Sequence, residues 1–481
     1  MFSDKSSDVV GFTSCWKTER ELEDKEVQTA DCSYEVKESQ SNVSINTETQ
    51  TDNLQLNMMV PEDVDYDKLA TFLRYVGPLV IKELDACQMS RAFESYEPLN
   101  DDIDNAVKKI CDLQIPKFNI LKDTCVSGLS WFCTGTSVAC SYSVRIHRDW
   151  CDHTGWIHIF NINRSTISPT RTLEAMSCVS AVSAHPFEPS IIAAGLYTGE
   201  VLVWNLQKDD EPLICSSEAI PGSHKEPVTQ LSWIPDGDTS QKRPLLVSTG
   251  CDGRMLIWKV GTYSGNFQLS EAFIITLERL RYLNLDMFMS PTVRLAETEI
   301  SINCFSFSKM DPTCFVLGLH GGIILCCSTI AAKPALVDAD IPFKDPVVKA
   351  FDRHQGAVSC VQWSPHRENK FISCAHDNEI HIYLLEQSSP IHIIHVEDGV
   401  VGMEWSLAYP QILVLWGNNK DTVEFYDLHI KAFVPSLQIP ALEKSAEICA
   451  MQCHPQNQRL VAVGDMSARV IIWEVCSYNG E

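Results

Sequence analysis

The chain has 481 residues, 45% of them hydrophobic, so it is long enough to bury a sizeable core and to carry an additional segment. Its formal net charge of −25 disfavours binding to nucleic acid or to anionic lipid. No stretch approaches the ~20 apolar residues that a membrane span needs, and the first residues lack the apolar run of a secretory signal. We therefore expect a cytoplasmic protein that binds no nucleic acid and does not insert into membranes.

Residues 1–60 differ in composition from the rest of the chain. They carry 12 acidic and 5 basic residues, many Ser, Thr, Asn and Gln, and few large apolar side chains. Such a segment buries too little apolar surface to offset the entropy lost on ordering. The composition predicts an arm that is disordered when alone.

Two short motifs in this arm share an alternating β-branched, Gln and Thr character: Val27-Gln28-Thr29 and Thr49-Gln50-Thr51. A run of this kind suits addition as an edge strand to a partner's sheet, where backbone hydrogen bonds supply affinity and alternate side chains fill pockets. One such tripeptide is a weak signal. Two copies in one arm predict a bivalent peptide ligand.

Residues 61–98 have the apolar spacing of an amphipathic helix, with offsets of three and four. Gly77-Pro78 lies in the middle, and Pro78 cannot donate to the helix ladder. We expect a kink there, or two consecutive helices with Pro78 starting the second. Asp65 is placed to cap the start. The apolar positions are Leu69, Phe72, Leu73, Val76, Val80 and Leu84.

A pattern of three short alternating strands, with a tight Asp, Gly or Asn turn before the last, occurs seven times between residues 112 and 477. A period near fifty residues with this content is typical of propeller blades. The fold class predicted is therefore all-β, a seven-bladed WD-repeat β-propeller preceded by the arm and the short helix. The innermost strands are expected to start near Val126, Val179, Val228, Ile302, Val358, Val400 and Ile448.

The last repeat lacks an outermost strand of its own. Residues 113–121 are expected to supply it, with Pro116 tolerated at an edge, so that pairing of the two ends closes the ring. The long third interval, about residues 261–300, holds an insertion that the pattern assigns either to a helix or to a long hairpin.

One repeat contains His224, Ser248, Asp252 and Trp258, a set that superficially suggests a hydrolase. Their placement before the inner strand, on the second strand, in the tight turn and on the third strand instead resembles the structural hydrogen-bond tetrad of the WD-repeat family. A second repeat has the weaker set His354, Ser373, Asp377 and Tyr383.

No other chemistry-bearing pattern stands out. The 20 cysteines form no Cys-x-x-Cys pair and are expected to be reduced core residues. No His/Cys/Asp spacing matches a metal site and no phosphate-binding glycine loop is present. We expect no catalytic residues, no metal and no cofactor. The chain is predicted to be a binding platform rather than an enzyme.

The arrangement of paired Thr-Gln-Thr-like strands, a short helix and a seven-bladed propeller resembles the dynein intermediate chains over essentially the whole chain. Stretches 66–93 and 194–206 look like those of the intermediate chains of cytoplasmic dynein 2, the retrograde motor of intraflagellar transport. The resemblance implies a non-catalytic subunit that links light chains to the heavy-chain tail for transport and cilium assembly. It implies a location at the cytoskeleton and in the cilium, at the axoneme and the basal body or centrosome.

The same resemblance implies partners for each segment. The arm motifs would bind the eight-kilodalton light chain and pair with a second intermediate chain, Tctex-type light chains would join the complex, and the helix would receive a roadblock-type light chain dimer. The alternative for the helix is packing against the side of the propeller. The alternatives for the whole chain are a WD-repeat scaffold such as a ubiquitin-ligase substrate receptor, or an axonemal or general dynein intermediate chain. The five basic residues of the arm disfavour the general motor, whose intermediate chains begin with a long charged helix.

Overall fold

The structure is a computed structural model, and it separates into two compact units, residues 1–97 and 98–481, which are described individually. No helix among the residues it describes is long and apolar enough to cross a bilayer. The described residues are 66–88, 107–113, 115, 124–144, 147, 151–163, 168–236, 244–261, 265–283, 300–335, 337, 339–397, 399–417, 422–440 and 447–475.

The described part of the first unit is one helix, α1 (Tyr66–Gln88), of 23 residues. Pro78 lies inside it, so the expectation of two consecutive helices is wrong. Proline removes its own N–H from the ladder, here the one that would pair with the carbonyl of Arg74, but the helical turns on both sides continue. Asp65, the expected cap, lies outside the described residues.

The second unit is a seven-bladed β-propeller, as predicted: its described strands form seven sheets, each built on four antiparallel strands. The first strands of successive blades contact one another and therefore surround the centre. From inside to outside, the first four blades are β2 (Thr124–Trp131), β3 (Ser137–Val144), β4 (Gly155–Asn161), β5 (Arg171–Ala175); β6 (Val179–Ala184), β7 (Ile191–Leu196), β8 (Val201–Asn205), β9 (Leu213–Ser216); β10 (Val228–Ile234), β11 (Leu245–Gly250), β12 (Arg254–Val260), β13 (Phe267–Ile274); and β14 (Ile302–Phe307), β15 (Cys314–Leu319), β16 (Ile324–Ser328), β19 (Val347–Ala350).

Two short strands, β17 (Lys333–Pro334) and β18 (Lys344–Asp345), extend the third blade. Strand β28 (Ile439–Pro440) pairs with the third strand of the sixth blade, β26 (Thr422–Asp427). A 3-10 helix, Pro435–Leu437, precedes β28. The last three blades are β20 (Val358–Trp363), β21 (Lys370–Ala375), β22 (Glu379–Leu384), β23 (His392–His395); β24 (Gly402–Trp405), β25 (Ile412–Trp416), β26 (Thr422–Asp427), β27 (Ala432–Phe433); and β29 (Ile448–Cys453), β30 (Leu460–Asp465), β31 (Val470–Val475), β1 (Val107–Leu113).

The ring closes by pairing of the two ends of the unit. Strand β1 runs antiparallel to β31, from Val107 opposite Val475 to Leu113 opposite Val470. The predicted closure is therefore present, but its described strand is Val107–Leu113, which shares only Leu113 with the expected segment 113–121. Leu113 is 3% exposed and packs with Ile472 in the core between the last and first blades, which anchors the register.

The core is a ring of apolar clusters, one between each pair of neighbouring blades among the described residues. Middle strands such as β7 and β8 are buried along their whole length because neighbouring blades cover both faces. That burial explains their nearly continuous apolar sequences.

The insertion in the third interval holds a strand and a helix. Strand β13 completes the third blade, and α2 (Leu277–Tyr282) follows, with Thr276 as its N-cap. Leu280 is buried in the cluster between the third and fourth blades. The helix alternative is thus correct for 277–282, and residues 284–299 lie outside the described residues.

Candidate functional site

The structure brings His224, Ser248, Asp252 and Trp258 into one buried network in the third blade. His224 Nδ1 lies 3.0 Å from Asp252 Oδ1, and its Nε2 lies 2.8 Å from Ser248 Oγ. The indole N–H of Trp258 donates to the same Ser248 Oγ at 2.8 Å. Because Asp252 sits in the β11–β12 turn and His224 precedes β10, the network ties the turn to the entry of the blade.

The Ser–His–Asp order in this network is that of a hydrolytic triad, but Ser248 is inaccessible. Its side chain is fully buried, and its Oγ already bonds both His224 and Trp258. Burial raises the pKa of Asp252, but the hydrogen bond and charge of His224, with Arg254 nearby, more than offset this and leave that pKa below its ordinary value. A satisfied, sealed network of this kind stabilises a fold.

A second network occupies the fifth blade. His354 Nδ1 lies 3.0 Å from Asp377 Oδ2, and its Nε2 lies 2.7 Å from Ser373 Oγ. Tyr383 replaces the tryptophan, and its hydroxyl donates to the backbone carbonyl of Asp352 at 2.7 Å. Burial is the main cause that lowers the pKa of His354 to about 4, and the second is the His381 ring, which stacks on it with 3.8 Å between ring centroids. His354 is therefore neutral at physiological pH.

A ring of hydrogen bonds that the sequence analysis missed joins the inner strands of neighbouring blades. In most of the junctions, a polar side chain on one inner strand accepts a backbone N–H from the next inner strand. The acceptors and donors are Ser130 and Ala184, Gln230 and Phe305, Ser306 and Trp363, Gln362 and Trp405, Glu404 and Cys453, and Gln452 and Trp131.

The remaining junction, between the second and third blades, uses the indole N–H of Trp233, which donates to the carbonyl of Ser183 at 3.2 Å. We call these seven contacts the inter-blade latches. Three latch acceptors, Ser130, Gln362 and Glu404, directly precede a tryptophan on the same strand, and Ser306 and Gln452 occupy the same strand position before Phe307 and Cys453. That recurrence was the signal available in the sequence.

Helix α1 presents the predicted apolar row along one side. Within its own unit, Leu69, Phe72, Leu73, Val80 and Leu84 are exposed, Phe72 and Leu84 by 58% and 62%, and Val76 is half-buried. The sequence analysis left out two further apolar residues, Leu79 and Ile81, which are exposed as well. They widen the apolar surface of the second half of the helix, where Pro78 had suggested a break.

The predicted light-chain motifs, Val27-Gln28-Thr29 and Thr49-Gln50-Thr51, lie outside the described residues. Their assignment remains a prediction.

Sequence spacing indicated no metal-binding set, yet the fold brings one together. His147, Cys151 and His153 lie in the β3–β4 connection and Cys178 in the β5–β6 link, with one donor atom of each within 4.8 Å of the others. A second group, His354, Glu379 and His381, is equally close, but its donor atoms already bond Asp377, Ser373, Tyr383 and one another.

Comparison with known proteins shows which proteins the chain is similar to. The family model described as "WD domain, G-beta repeat" matches residues 216–259 and 346–383. Cytoplasmic dynein 2 intermediate chain 2 of Homo sapiens is 29% identical over 426 residues, covering 87% of this chain and 78% of the relative. The Mus musculus protein of the same name is 28% identical over 482 residues, covering 98% of this chain and 88% of the relative. The chain is therefore similar, over most of its length, to cytoplasmic dynein 2 intermediate chains.

Axonemal dynein intermediate chains match over less of the chain. Dynein axonemal intermediate chain 4 of Xenopus laevis is 26% identical over 278 residues, which are 56% of this chain and 34% of the relative. The two stretches that match the repeat model contain the His–Ser–Asp networks of the third and fifth blades. Apolar clusters and latches, by contrast, occur at every blade junction among the described residues.

Proposed function

We propose that the chain is a non-catalytic intermediate chain of cytoplasmic dynein 2 that links light chains to the heavy-chain tail for retrograde intraflagellar transport and cilium assembly. The observation that carries the proposal is the extent of the similarity. The alignment with the mouse cytoplasmic dynein 2 relative spans 98% of the chain, whereas the axonemal relative aligns with 56%. The longer alignment takes in most of the arm and α1 as well as the propeller.

The propeller of residues 112–477 is the platform for the heavy-chain tail in this proposal. Its closure by β1 and β31 and its continuous ring of latches favour a rigid surface over a hinged one. The arm contributes −7 of the net charge of −25, so most of the acidic excess lies outside it. A basic or amphipathic helical stretch of the tail is the complementary ligand.

Helix α1, within the proposed region 61–98, is the docking element for a roadblock-type light chain dimer. Its row of exposed apolar side chains has no partner among the described residues of its unit. A helix laid into an apolar groove is read through residues at offsets of three, four and seven, which Leu69, Phe72, Leu73, Val76 and Val80 provide. The unbroken passage through Pro78 lets Leu84 join the same face.

The buried tetrads support the non-catalytic role in this proposal. A serine nucleophile needs an approaching substrate and a free Oγ, and Ser248 has neither. The Ser373 side chain in the fifth blade is likewise fully buried and bonded to His354. Among the described residues, these networks stabilise their blades. In this proposal, partners bind to the outer surfaces of the propeller.

Removal of the protein from ciliated cells tests the proposal. Return traffic should fail, so transport material should accumulate at ciliary tips, and the tagged chain should be found at the basal body and along the axoneme. Re-expression of the full chain should restore normal tips. A variant lacking residues 1–96 should keep a folded propeller but should not restore them. Normal tip composition after removal would refute the ciliary assignment, and a defect in Golgi or mitotic positioning would point to the general cytoplasmic motor.

The docking role of α1 has its own test. Phe72→Asp with Leu73→Asp places two charges on the apolar row and should abolish co-purification of a co-expressed roadblock-type light chain with the full chain. Thr71→Asp is the control, because Thr71 is an exposed residue on the opposite side of the helix from the apolar row. Equal loss in both variants would contradict recognition through the named face.

A further inference from the structure

Two connections of the first blade place four soft donor side chains together. The β3–β4 connection carries His147, Cys151 and His153, and the β5–β6 link carries Cys178. Successive antiparallel strands return these two connections to the same end of the blade. One donor atom from each side chain lies within 4.8 Å of the other three.

The contacts inside the group have the dimensions of a coordination shell. Cys151 Sγ lies 3.8 Å from His153 Nδ1. In a tetrahedron with metal–nitrogen and metal–sulfur bonds of about 2.0 to 2.3 Å, the nitrogen–sulfur edge is about 3.5 Å. His147 Nε2 is shielded from solvent and has no hydrogen-bond partner among the described residues. An unsatisfied buried nitrogen is costly, and a metal ion at the centre of the group would satisfy it.

The surroundings hold the ligands in place. The His147 ring stacks on Tyr197 with 4.0 Å between ring centroids. The backbone N–H of Cys178 donates to Cys151 Sγ at 3.4 Å, a contact that suits a metal-bound thiolate. The backbone N–H of Tyr197 donates to the carbonyl of Cys178 at 2.9 Å, so the second blade supports the same group.

We propose that His147, Cys151, His153 and Cys178 bind one Zn²⁺ ion in a closed tetrahedral site. A set of two imidazoles and two thiolates is a zinc set, whereas calcium and magnesium take oxygen ligands. The two thiols release their protons on binding, and the two thiolates balance the charge of the ion. Four protein ligands leave no open position, so the site is structural.

The zinc ion would join the β3–β4 connection to the start of the second blade, because Cys178 directly precedes β6. It would act at a junction in whose latch the backbone N–H of Ala184 donates to Ser130 Oγ, so that the acceptor is a short side chain rather than Gln or Glu. The ligands escaped the sequence analysis because three of them lie in one loop and the fourth follows only after two further strands, β4 and β5.

Zinc content of the full-length chain is the first test. The protein is expressed with zinc in the medium, purified without chelator, and measured by inductively coupled plasma mass spectrometry. We expect about one zinc ion per chain, as for a structural four-ligand site, and a loss of more than about tenfold in the double variant Cys151→Ser with Cys178→Ser. Cys215→Ser, a buried cysteine of the second blade outside the group, should keep the metal.

Three results would overturn the site: wild-type protein without zinc, undiminished zinc in the double variant, or an intact mass that shows a Cys151–Cys178 disulfide. Because loss of two buried cysteines can unfold a blade, His153→Cys and His153→Ala provide a second comparison. His153→Cys supplies another zinc ligand and should retain the ion, whereas His153→Ala should bind it more weakly.

Cobalt substitution gives a readout of geometry. Full-length protein loaded with Co²⁺ should show the intense visible bands of tetrahedral cobalt and a thiolate-to-cobalt charge-transfer band. The weak spectrum of octahedral cobalt, or one without the charge-transfer band, would contradict the proposed ligand set.

Discussion

The backbone N–H of Trp131 in the first blade donates to Oε1 of Gln452 in the seventh at 2.8 Å, although 321 residues separate them along the chain. The indole N–H of Trp131 also donates to the backbone carbonyl of Gln452, at 3.2 Å. This latch lies on the inner strands at the junction where β1 and β31 close the outer edge. The ring is thus closed at the centre by a side chain and at the rim by a strand.

Loss of the Gln452 latch should destabilise the propeller. Gln452→Ala leaves the Trp131 N–H without its acceptor, which should lower the free energy of unfolding by about 1–3 kcal/mol. Guanidinium-induced unfolding of the purified chain measures the change. Gln458→Ala, an exposed glutamine of the same blade, is the control. Equal stability of wild type and Gln452→Ala would show that the latch contributes nothing to closure.

Glu404 should make stability depend on pH, because it occupies the latch position that Gln362 and Gln452 fill in the neighbouring blades. Burial raises the pKa of Glu404, and the Cys453 N–H offsets this only in part. The pKa of Glu404 is higher in the folded than in the unfolded state. The contribution of Glu404 to the free energy of unfolding is therefore fully present below the ordinary glutamate pKa. It is lost as the pH rises through the raised pKa.

Glu404→Gln keeps the acceptor and removes the charge. Its free energy of unfolding relative to wild type should therefore increase as the pH rises above the ordinary value of 4.5, and then level off. Denaturation curves across that range measure it. Glu211→Gln, an exposed substitution, should show no such trend. If the free energy of unfolding of the wild type increased relative to that of Glu404→Gln as the pH rises, the sign would be opposite and the interpretation would be refuted.

The tetrad of the third blade should support both stability and assembly. Asp252→Ala removes the acceptor of His224 and leaves buried polar groups unpaired, at a cost of about 1–3 kcal/mol. We expect a lower melting temperature together with weaker association with the heavy chain. Asp210→Ala, an exposed aspartate in a loop, should change neither property. An unchanged melting temperature for Asp252→Ala would contradict the tetrad role.

The arm should behave as a bivalent light-chain ligand. A dimeric light chain that meets two parallel arms gains avidity that can reach ~10²–10⁴-fold over a single motif. Replacing Gln50 and Thr51 by alanine should weaken binding strongly. The same change at Gln28 and Thr29 should weaken it less, because Val27 stands where the motif prefers threonine. Calorimetry with purified eight-kilodalton light chain measures both, and Gln40→Ala with Ser41→Ala is the control. Unchanged binding in the Gln50/Thr51 variant would refute the assignment.

The propeller was predictable because its repeats carry local patterns. The inner strands begin at Val179, Val228, Ile302, Val358 and Ile448, as expected, while the first starts two residues before Val126 and the sixth two after Val400. Alternation and turn residues act over a few positions, so one sequence suffices to locate them.

Features that depend on contacts between distant segments were not predictable. The closing strand was placed too late because Leu113-Gln-Ile-Pro looks more strand-like than Val107–Leu113, whose lysines face solvent at the rim. The residues joined by a latch are far apart along the chain. Gln362 and Trp405, for example, are separated by 43 positions. The group at His147 and Cys178 likewise exists only once two connections meet at one end of a blade.

The central claim is membership in the cytoplasmic dynein 2 motor. Its most direct test is affinity purification of the tagged full-length chain from ciliated cells, with the dynein heavy chains quantified by mass spectrometry. The account predicts that the cytoplasmic dynein 2 heavy chain is recovered in proportion to the tagged chain, together with light chains. Recovery of an axonemal or general cytoplasmic heavy chain instead, or of ubiquitin-ligase subunits without any heavy chain, would contradict it.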